Sequence, residues 1–174
     1  MKKTGLIKYK LLLAPAGFTL TEVLIVIALM AILTGIALPS FIEWRQNLYY
    51  KQAASEIADS LKTARSKAIT LNQQHGVKFI PAERSYQMGK KFPDPDGHWS
   101  YSSAKGILRN QVSLNIDGAA SAAATTEPNK PNISFNVNGA SFSNYSVSIK
   151  DAKNSSKYTI AVERSGRIRM KKVQ

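Results

Sequence analysis

The hydrophobic and polar positions change their period twice along the chain, and each change predicts a different element. Residues 23–38 are apolar apart from Thr34 and one glycine. With residues 18–21 in front, the segment reaches the ~20 residues that a helix needs to cross a bilayer. Beyond Pro39, apolar residues at spacings of three and four predict an amphipathic helix that ends near Gln73–Gly76. The apolar positions of this second segment are Tyr50, Ala53, Ala54, Ile57, Leu61, Ala64, Ala68 and Leu71.

After Gly76 the helical period gives way to short alternating runs, which predict strands. The predicted strands are Val77–Ile80, Arg84–Met88, Trp99–Ser102, Val112–Ile116, Ile133–Val137, Tyr145–Lys150 and Tyr158–Arg164. Turn-rich pieces separate them, and the longest, Gly118–Pro131, carries five alanines and two prolines and is predicted to be a mobile loop. The alanines of the amphipathic helix suit close packing on a sheet. The pattern therefore predicts an α+β fold, with one long N-terminal helix packed on an antiparallel sheet.

The segment before the apolar run is basic, with Lys2, Lys3, Lys8 and Lys10. These lysines favour keeping the N-terminus cytoplasmic and sending the rest of the chain across the membrane. Ala14-Pro15-Ala16 has the form of a secretory cleavage box, but in a secretory signal the long apolar region precedes the cut, whereas here it follows. A plain N-terminal anchor is the simplest alternative.

Glu22 is a carboxylate at the head of this apolar segment. An ionised carboxylate there costs several kcal/mol unless it is paired or lies at the membrane interface. A purely structural role is also open, because a carboxylate in the first turn of a helix is favoured by the helix dipole.

The run Gly17-Phe18-Thr19-Leu20-Thr21-Glu22, followed by the apolar stretch, resembles the prepilin processing site of the type IV pilin superfamily. The resemblance implies that prepilin peptidase cuts after Gly17 and that Phe18 becomes the N-methylated first residue. It also implies that Glu22 pairs with the N-terminal amine of a neighbouring pilin subunit. Pro39 falls where many pilins have a helix-loosening proline.

Combined with the periodicity, this resemblance divides the chain into four segments. They are a leader peptide at 1–17, a transmembrane and filament-core helix at 18–39, an amphipathic helix at 40–75, and a β-sheet domain with a basic tail at 76–174. The expected protein is a single-pass inner-membrane precursor with a periplasmic C-terminal domain, displayed at the cell surface in a type IV pilus once assembled. The chain has no cysteine, so the domain has no disulfide and relies on packing and hydrogen bonds.

Positive charge is concentrated at the C-terminus. The formal net charge is +13, and the four leader lysines account for four of these charges, which leaves +9 after processing. Residues 157–174 carry six basic side chains, namely Lys157, Arg164, Arg167, Arg169, Lys171 and Lys172, against one acid, Glu163. Such a tail has two interpretations: an anion-binding surface, or a solvated basic edge that discourages pairing between sheets.

Ser165-Gly166 predicts a two-residue turn between the strand Tyr158–Arg164 and a last strand, Arg167–Lys172. In such a hairpin Arg164 faces Arg167, Arg169 lies on the same face, and Glu163, Ile168 and Met170 point the other way. Three guanidinium groups on one face repel one another unless an anion binds them. Because guanidinium groups form forked hydrogen bonds with phosphate, a polyanionic backbone is the predicted ligand.

Two further segments, Phe135-Asn-Val-Asn-Gly139 and Gly166-Arg167-Ile168-Arg169, resemble the FimT/GspH group of minor pilins and pseudopilins. In FimT-like members a C-terminal Gly-Arg-x-Arg element contacts incoming DNA during natural transformation. The resemblance therefore implies DNA binding by Gly166, Arg167 and Arg169, and the nearby basic residues extend the predicted site. These are Arg164, Lys171 and Lys172.

The sequence gives little support for catalysis. His75 and His98 are the only histidines, and neither has a partner at metal-ligand spacing. No nucleophile elbow or phosphate-binding glycine loop occurs, so neither an enzyme nor a cofactor is expected. Two functions compete: a minor pilin that binds double-stranded DNA through its phosphates, and a minor pilin or type II secretion pseudopilin that primes filament assembly without binding DNA. Both have other pilin subunits, prepilin peptidase and the inner membrane as partners.

Overall fold

The computed structural model describes residues 17–93, 96–109, 112–118 and 129–173. Residues 1–16 of the predicted leader and most of the predicted Gly118–Pro131 loop lie outside the described residues. The chain forms two compact units, Met1–Ile42 and Glu43–Gln174. One helix, α1 (Leu20–Thr70), contributes residues to both.

In the first unit, α1 begins directly after Thr19. The Glu22 backbone N–H donates a hydrogen bond to the Thr19 hydroxyl oxygen at 3.2 Å, so Thr19 caps the helix and Glu22 lies in its first turn. The apolar side chains from Val23 to Leu38 are exposed, and this part of α1 is long and apolar enough to cross a membrane. The helix continues through Pro39, although proline has no N–H to donate to the preceding turn.

In the second unit, α1 buries one face that is rich in alanine. Its buried residues are Tyr50, Ala53, Ala54, Ile57, Ala58, Leu61, Ala64 and Ala68. The predicted buried positions are therefore confirmed with one exception, Leu71, which is exposed. The helix ends at Thr70 rather than near Gln73, and Asn72 then adopts a positive φ of 48° that turns the chain away.

Nine strands follow the helix in the part of the chain that the structure describes. They are β1 His75–Ile80, β2 Ser85–Lys91, β3 Trp99–Tyr101, β4 Gly106–Ile107, β5 Ser113–Gly118, β6 Ile133–Phe135, β7 Tyr145–Lys150, β8 Ser156–Val162 and β9 Ile168–Lys172. A short 3₁₀ turn at Pro81–Glu83 connects the first two. Every predicted strand is present, and among the nine described strands only the two-residue β4 was not predicted.

The strands form two antiparallel sheets rather than one. The first has the order β3-β2-β1-β6, with β4 also paired to β2, and the second has the order β5-β7-β8-β9. The α+β class is confirmed, because a long helix packs on antiparallel strands. The number of sheets was not predictable, since alternation shows which face of a strand is buried but not which strand lies beside it.

Both sheets bury their inner faces together with the alanine face of α1 in one core. The strands contribute Val77 and Phe79 from β1, Leu114 and Ile116 from β5, Ile133 and Phe135 from β6, Val147 and Ile149 from β7, and Ile160 and Val162 from β8. Leu108 and Val112 complete the cluster. Every member lies within Glu43–Gln174, so this unit contains the whole described core and is the fragment to purify for measurements in solution.

Two identical substitutions on α1 test this packing. We expect Leu61→Ala to lower the free energy of unfolding of residues 43–174 by about 2–5 kcal/mol, because Leu61 is fully buried and the change leaves a cavity. Leu48→Ala is the matched control: Leu48 is 42% exposed, and we expect a loss below about 1 kcal/mol. Urea denaturation followed by circular dichroism measures both. Equal losses would contradict the assignment of the buried face.

Candidate nucleic-acid interface

The basic tail forms a hairpin from β8 and β9, and its loop differs from the predicted one. The Glu163 N–H donates to the Arg167 carbonyl oxygen at 2.9 Å, and the Gly166 N–H donates to the Glu163 carbonyl oxygen at 2.8 Å. The loop therefore has three residues, Arg164-Ser165-Gly166, and the predicted two-residue turn is wrong. The physical reason is Gly166, whose φ of +80° completes a three-residue loop instead of a two-residue one.

This extra residue changes which side chains share a face. Val162 pairs with Ile168 and Ala161 with Arg169, so continuing the register places Glu163 opposite Arg167. Arg164 lies in the loop and does not face Arg167, so that prediction is also wrong. Glu163 was predicted on the opposite face, but it lies on the arginine face.

The shared face brings an acid and an arginine together. The Arg169 Nε atom lies 3.1 Å from the Glu163 Oε1 atom in an ion pair that is partly exposed to solvent. Ile168 points to the other face and packs against the core, as predicted, whereas Met170 remains 40% exposed at the sheet edge. Lys172 pairs with Tyr158 and therefore lies on the face of Ile168 and Met170.

The remaining cations of the hairpin are exposed. Within the described part of the chain, no ion pair involves the side chains of Arg164, Arg167, Lys171 or Lys172. Strand β9 is an edge of its sheet, so its outer backbone groups face away from β8. This edge position is compatible with both interpretations of the basic tail, anion binding and protection of a free strand edge.

The hairpin is held in place by contacts with a distant loop and with α1. Gly166 is buried, and a Cβ atom added to it would overlap the carbonyl oxygen of Gly139. The Arg65 Nε atom of α1 donates to the same carbonyl oxygen at 3.0 Å. Two backbone groups of Arg164 are also bonded: its carbonyl oxygen accepts from the Ser141 N–H at 3.0 Å, and its N–H donates to the Asn144 Oδ1 atom at 2.8 Å.

The loop that receives Gly166 is shaped by Asn136. The Oδ1 atom of Asn136 accepts hydrogen bonds from the backbone N–H groups of Asn138 and Ala140 at 3.1 and 2.9 Å. Gly139 closes this loop with a φ of +76°. The two segments on which the resemblance to FimT and GspH rested, Phe135–Gly139 and Gly166–Arg169, are thus in direct contact. Sequence reasoning missed Arg65 and Asn144, because neither belongs to a recognisable motif.

The predicted processing and assembly residues lie in the first unit. Gly17 and Phe18 precede α1 and are exposed, and Glu22 is exposed in its first turn. Among the residues that the structure describes, no three His, Asp or Glu side chains cluster in a way that could hold a metal ion.

Comparison with known families gives two matches. The family described as "Type II transport protein GspH" matches residues 53–166, and the "Prokaryotic N-terminal methylation motif" matches residues 14–38. The first match covers the second half of α1 and strands β1 to β8, and it ends at Gly166, so β9 lies outside it. A relative described as "Fimbrial protein" from Pseudomonas aeruginosa is 31% identical over 112 residues, which cover 64% of this chain and 68% of the relative.

Three solved structures share the fold at low sequence identity. The minor pseudopilin EpsH from the Type 2 Secretion System of Vibrio cholerae has a TM-score of 0.56 and 16% identity, covering 70% of this chain and 95% of that chain. E. coli GspH has a TM-score of 0.56 and 13% identity, covering 73% and 90%. The type IV minor pilin FimU of Pseudomonas aeruginosa has a TM-score of 0.52 and 16% identity, covering 75% and 92%.

Gly166→Ala tests how the hairpin is held. We expect this variant of residues 43–174 to lose more than about 2 kcal/mol of unfolding free energy, because alanine disfavours the positive φ and its Cβ atom displaces Gly139. Ser165→Ala, an exposed change in the same loop, is the control and should cost less than about 0.5 kcal/mol. Denaturant unfolding measures both. A Gly166→Ala variant as stable as the control would remove the argument for this contact.

Proposed function

This chain belongs to the GspH family and carries the prokaryotic N-terminal methylation motif, which makes it a minor pilin or pseudopilin, and we propose that it binds duplex DNA through its C-terminal hairpin in natural transformation. The apolar helix and the prepilin motif make the precursor an inner-membrane protein with a globular C-terminal domain that assembles into a pilus. Its partners are other pilin subunits and prepilin peptidase.

The processing scheme is part of the proposal. Prepilin peptidase cuts after Gly17, Phe18 becomes the methylated N-terminus, and the globular domain lies in the periplasm before assembly. Glu22 then pairs with the N-terminal amine of a neighbouring subunit. Its position in the first turn of α1, beside the Thr19 cap, supports this role because the helix start fixes the direction in which the carboxylate leaves the backbone.

The observation that carries the DNA-binding proposal is the row of cations along the exposed edge strand β9. Arg169 and Lys171 alternate along this strand, and Arg167, directly before it and opposite Glu163, continues the row on the same face. Alternate residues are separated by about 7 Å, so the row is about 14 Å long. A DNA strand carries one charge per about 3.4 Å of helix axis, so this row is commensurate with about four phosphates. Arg164 in the adjoining loop adds a fourth cation.

A contact of this kind reads the phosphate backbone and not the bases, so we expect little sequence preference. With about 3–5 phosphate contacts, the slope of log affinity against log salt is expected to be roughly −3 to −4.5. A single domain should therefore bind duplex DNA at micromolar affinity or weaker. Several copies in one filament would strengthen binding through avidity.

The Glu163–Arg169 pair favours the second candidate function, a subunit that primes filament assembly without binding DNA. In that case the acid neutralises part of the basic edge, and the remaining charges only keep β9 from pairing with other sheets. Deletion would then abolish piliation or secretion, and the purified domain would not retain DNA at low salt. Loss of transformation with normal piliation would support the DNA-binding proposal instead.

The double substitution Arg167→Ala and Arg169→Ala tests the site. We expect the dissociation constant of residues 43–174 for a duplex to rise at least about tenfold, and the salt slope to become shallower by about two, since two phosphate contacts are lost. The control is Lys51→Ala with Lys153→Ala, which removes the same charge from exposed positions elsewhere. Fluorescence anisotropy over a salt series measures both. Equal losses in both variants would show that total charge, and not the hairpin, governs binding.

Glu163→Gln tests the role of the ion pair on the arginine face. We expect this variant to bind duplex DNA about threefold to tenfold more tightly at low salt, because it releases Arg169 and removes one negative charge from the face. The same anisotropy titration measures the change. Asp151→Asn is the control: it also removes an acid paired with a cation, Lys157, but one that lies outside the arginine row. Unchanged binding by Glu163→Gln would exclude Arg169 from the interface.

A further inference from the structure

A second concave site lies away from the hairpin, between the second half of α1 and the inner face of the β3-β2-β1-β6 sheet. It is a cavity of about 410 Å³, which falls within the range of small-molecule sites. Ser60 and Lys67 line it from α1, and His75, Tyr86, Met88 and Lys90 line it from strands β1 and β2. No residue of the proposed DNA contact lines this cavity.

The strand register makes one end of the cavity basic. His75 of β1 pairs directly with Lys90 of β2, so both lie on the inner face in one row across the sheet. Lys67 of α1 lines the same cavity and is exposed. Among the described residues, no Asp or Glu lines this cavity, and neither Lys67 nor Lys90 forms an ion pair; the Lys90 ammonium lies 5.1 Å from the centroid of the Phe92 ring. Two lysines without an acid in the lining favour an anionic ligand.

His75 is buried at this end of the cavity, and only one of its two ring nitrogens is hydrogen-bonded to a described residue. It is only 4% exposed, and its Nδ1 atom lies 2.8 Å from the Gln73 carbonyl oxygen. Because a carbonyl oxygen only accepts, Nδ1 carries a proton and donates to it. Within the described residues, Nε2 has no hydrogen-bond partner. A phosphate oxygen or a phosphate hydroxyl can bond with Nε2, which donates when the ring is charged and accepts when it is neutral.

The other end of the cavity is uncharged and partly aromatic. Tyr86 lies four residues before Lys90 on β2, about 13 Å away along the strand, and Met88 lies between them on the same face. Ser60 lies two helical turns before Lys67 and lines this end of the cavity from α1. Burial raises the pKa of Tyr86, so its phenol is neutral at physiological pH. Gly106, opposite Tyr86, lacks a side chain and leaves room for the Tyr86 ring.

From this arrangement we propose that the cavity binds a phosphate monoester attached to a flat ring, the chemistry of a nucleoside monophosphate. The phosphate lies at Lys67, His75 and Lys90, and the ring lies against Met88 and Tyr86. The volume far exceeds that of a phosphate ion, which is why an attached group is part of the proposal. Two sources share this chemistry: a free mononucleotide, and the 5′-phosphorylated end of a DNA strand.

The test uses residues 43–174 and thymidine 5′-monophosphate, thymidine and inorganic phosphate as probes, followed by two-dimensional NMR. We expect the monophosphate to shift the amide signals of His75, Lys90 and Tyr86, and to bind at least about tenfold more tightly than thymidine or phosphate alone. No shift of these signals, or equal binding of phosphate and the monophosphate, would overturn the proposal. Short 5′-phosphorylated and 5′-hydroxyl single strands separate the two sources: preference for the phosphorylated strand over the free monophosphate assigns the site to DNA ends, and the reverse order assigns it to free nucleotides.

The decisive variant is the double substitution Lys67→Ala and Lys90→Ala. Its control is the double substitution Lys51→Ala and Lys153→Ala, which removes the same charge elsewhere. We expect the first to weaken monophosphate binding at least about tenfold while duplex binding and the unfolding midpoint stay close to those of the control. The Arg167→Ala and Arg169→Ala variant should show the opposite pattern, so the failure of either proposal can be recognised separately. Unchanged monophosphate binding by Lys67→Ala with Lys90→Ala would overturn this assignment. If the double variant is unstable, the binding of the monophosphate is measured with His75→Gln instead, which retains a side-chain donor and acceptor.

Discussion

The burial of the alanine-rich face of α1 is the interaction on which the globular domain depends. Two sheets of different strand order share one core with this face, and its small side chains Ala54, Ala64 and Ala68 are fully buried there. With no cysteine in the chain, nothing covalent replaces that contact. The hairpin and the cavity both depend on it, because Arg65 supports one from α1 and Lys67 lines the other.

In the first unit the apolar face of α1 is not buried by other parts of the chain. Its apolar side chains from Val23 to Leu38 are exposed in the isolated chain, so they need a bilayer or the apolar helices of other subunits around them. The same residues serve both environments, since lipid and a neighbouring apolar helix are alike in polarity. The cations of the proposed DNA contact all lie in the other unit, Glu43–Gln174.

Period and alternation predicted most of the fold, and the errors have identifiable physical causes. Leu71 fits the helical spacing but is exposed, because the chain turns at Asn72 before another helical turn can form. Alternation located the strands and their inner faces, but partner choice depends on contacts that no local pattern records. Strand β4 was missed because two residues, Gly106 and Ile107, are too few to alternate.

The candidate interface shows a similar limit. The basic side chains and Gly166 were found from the sequence, yet one extra loop residue moved Glu163 onto the arginine face. The contacts that hold the hairpin join residues far apart in sequence, 74 positions for Arg65 and Gly139 and 20 for Asn144 and Arg164. A single sequence carries no signal for such pairs, because each partner is unremarkable in its own segment.

The contact between Gly139 and Gly166 has a consequence for how this surface can evolve. The groups that hold the hairpin are glycines, backbone atoms and two side chains on other segments, whereas the side chains of Arg164, Arg167 and Lys171 form no hydrogen bond or ion pair with the rest of the described chain. Substitutions of these three side chains therefore leave the packing of Gly166 against Gly139 intact. The same fold can therefore present a basic, neutral or acidic edge strand after a few substitutions, so the ligand of this surface can change during evolution while the fold is kept.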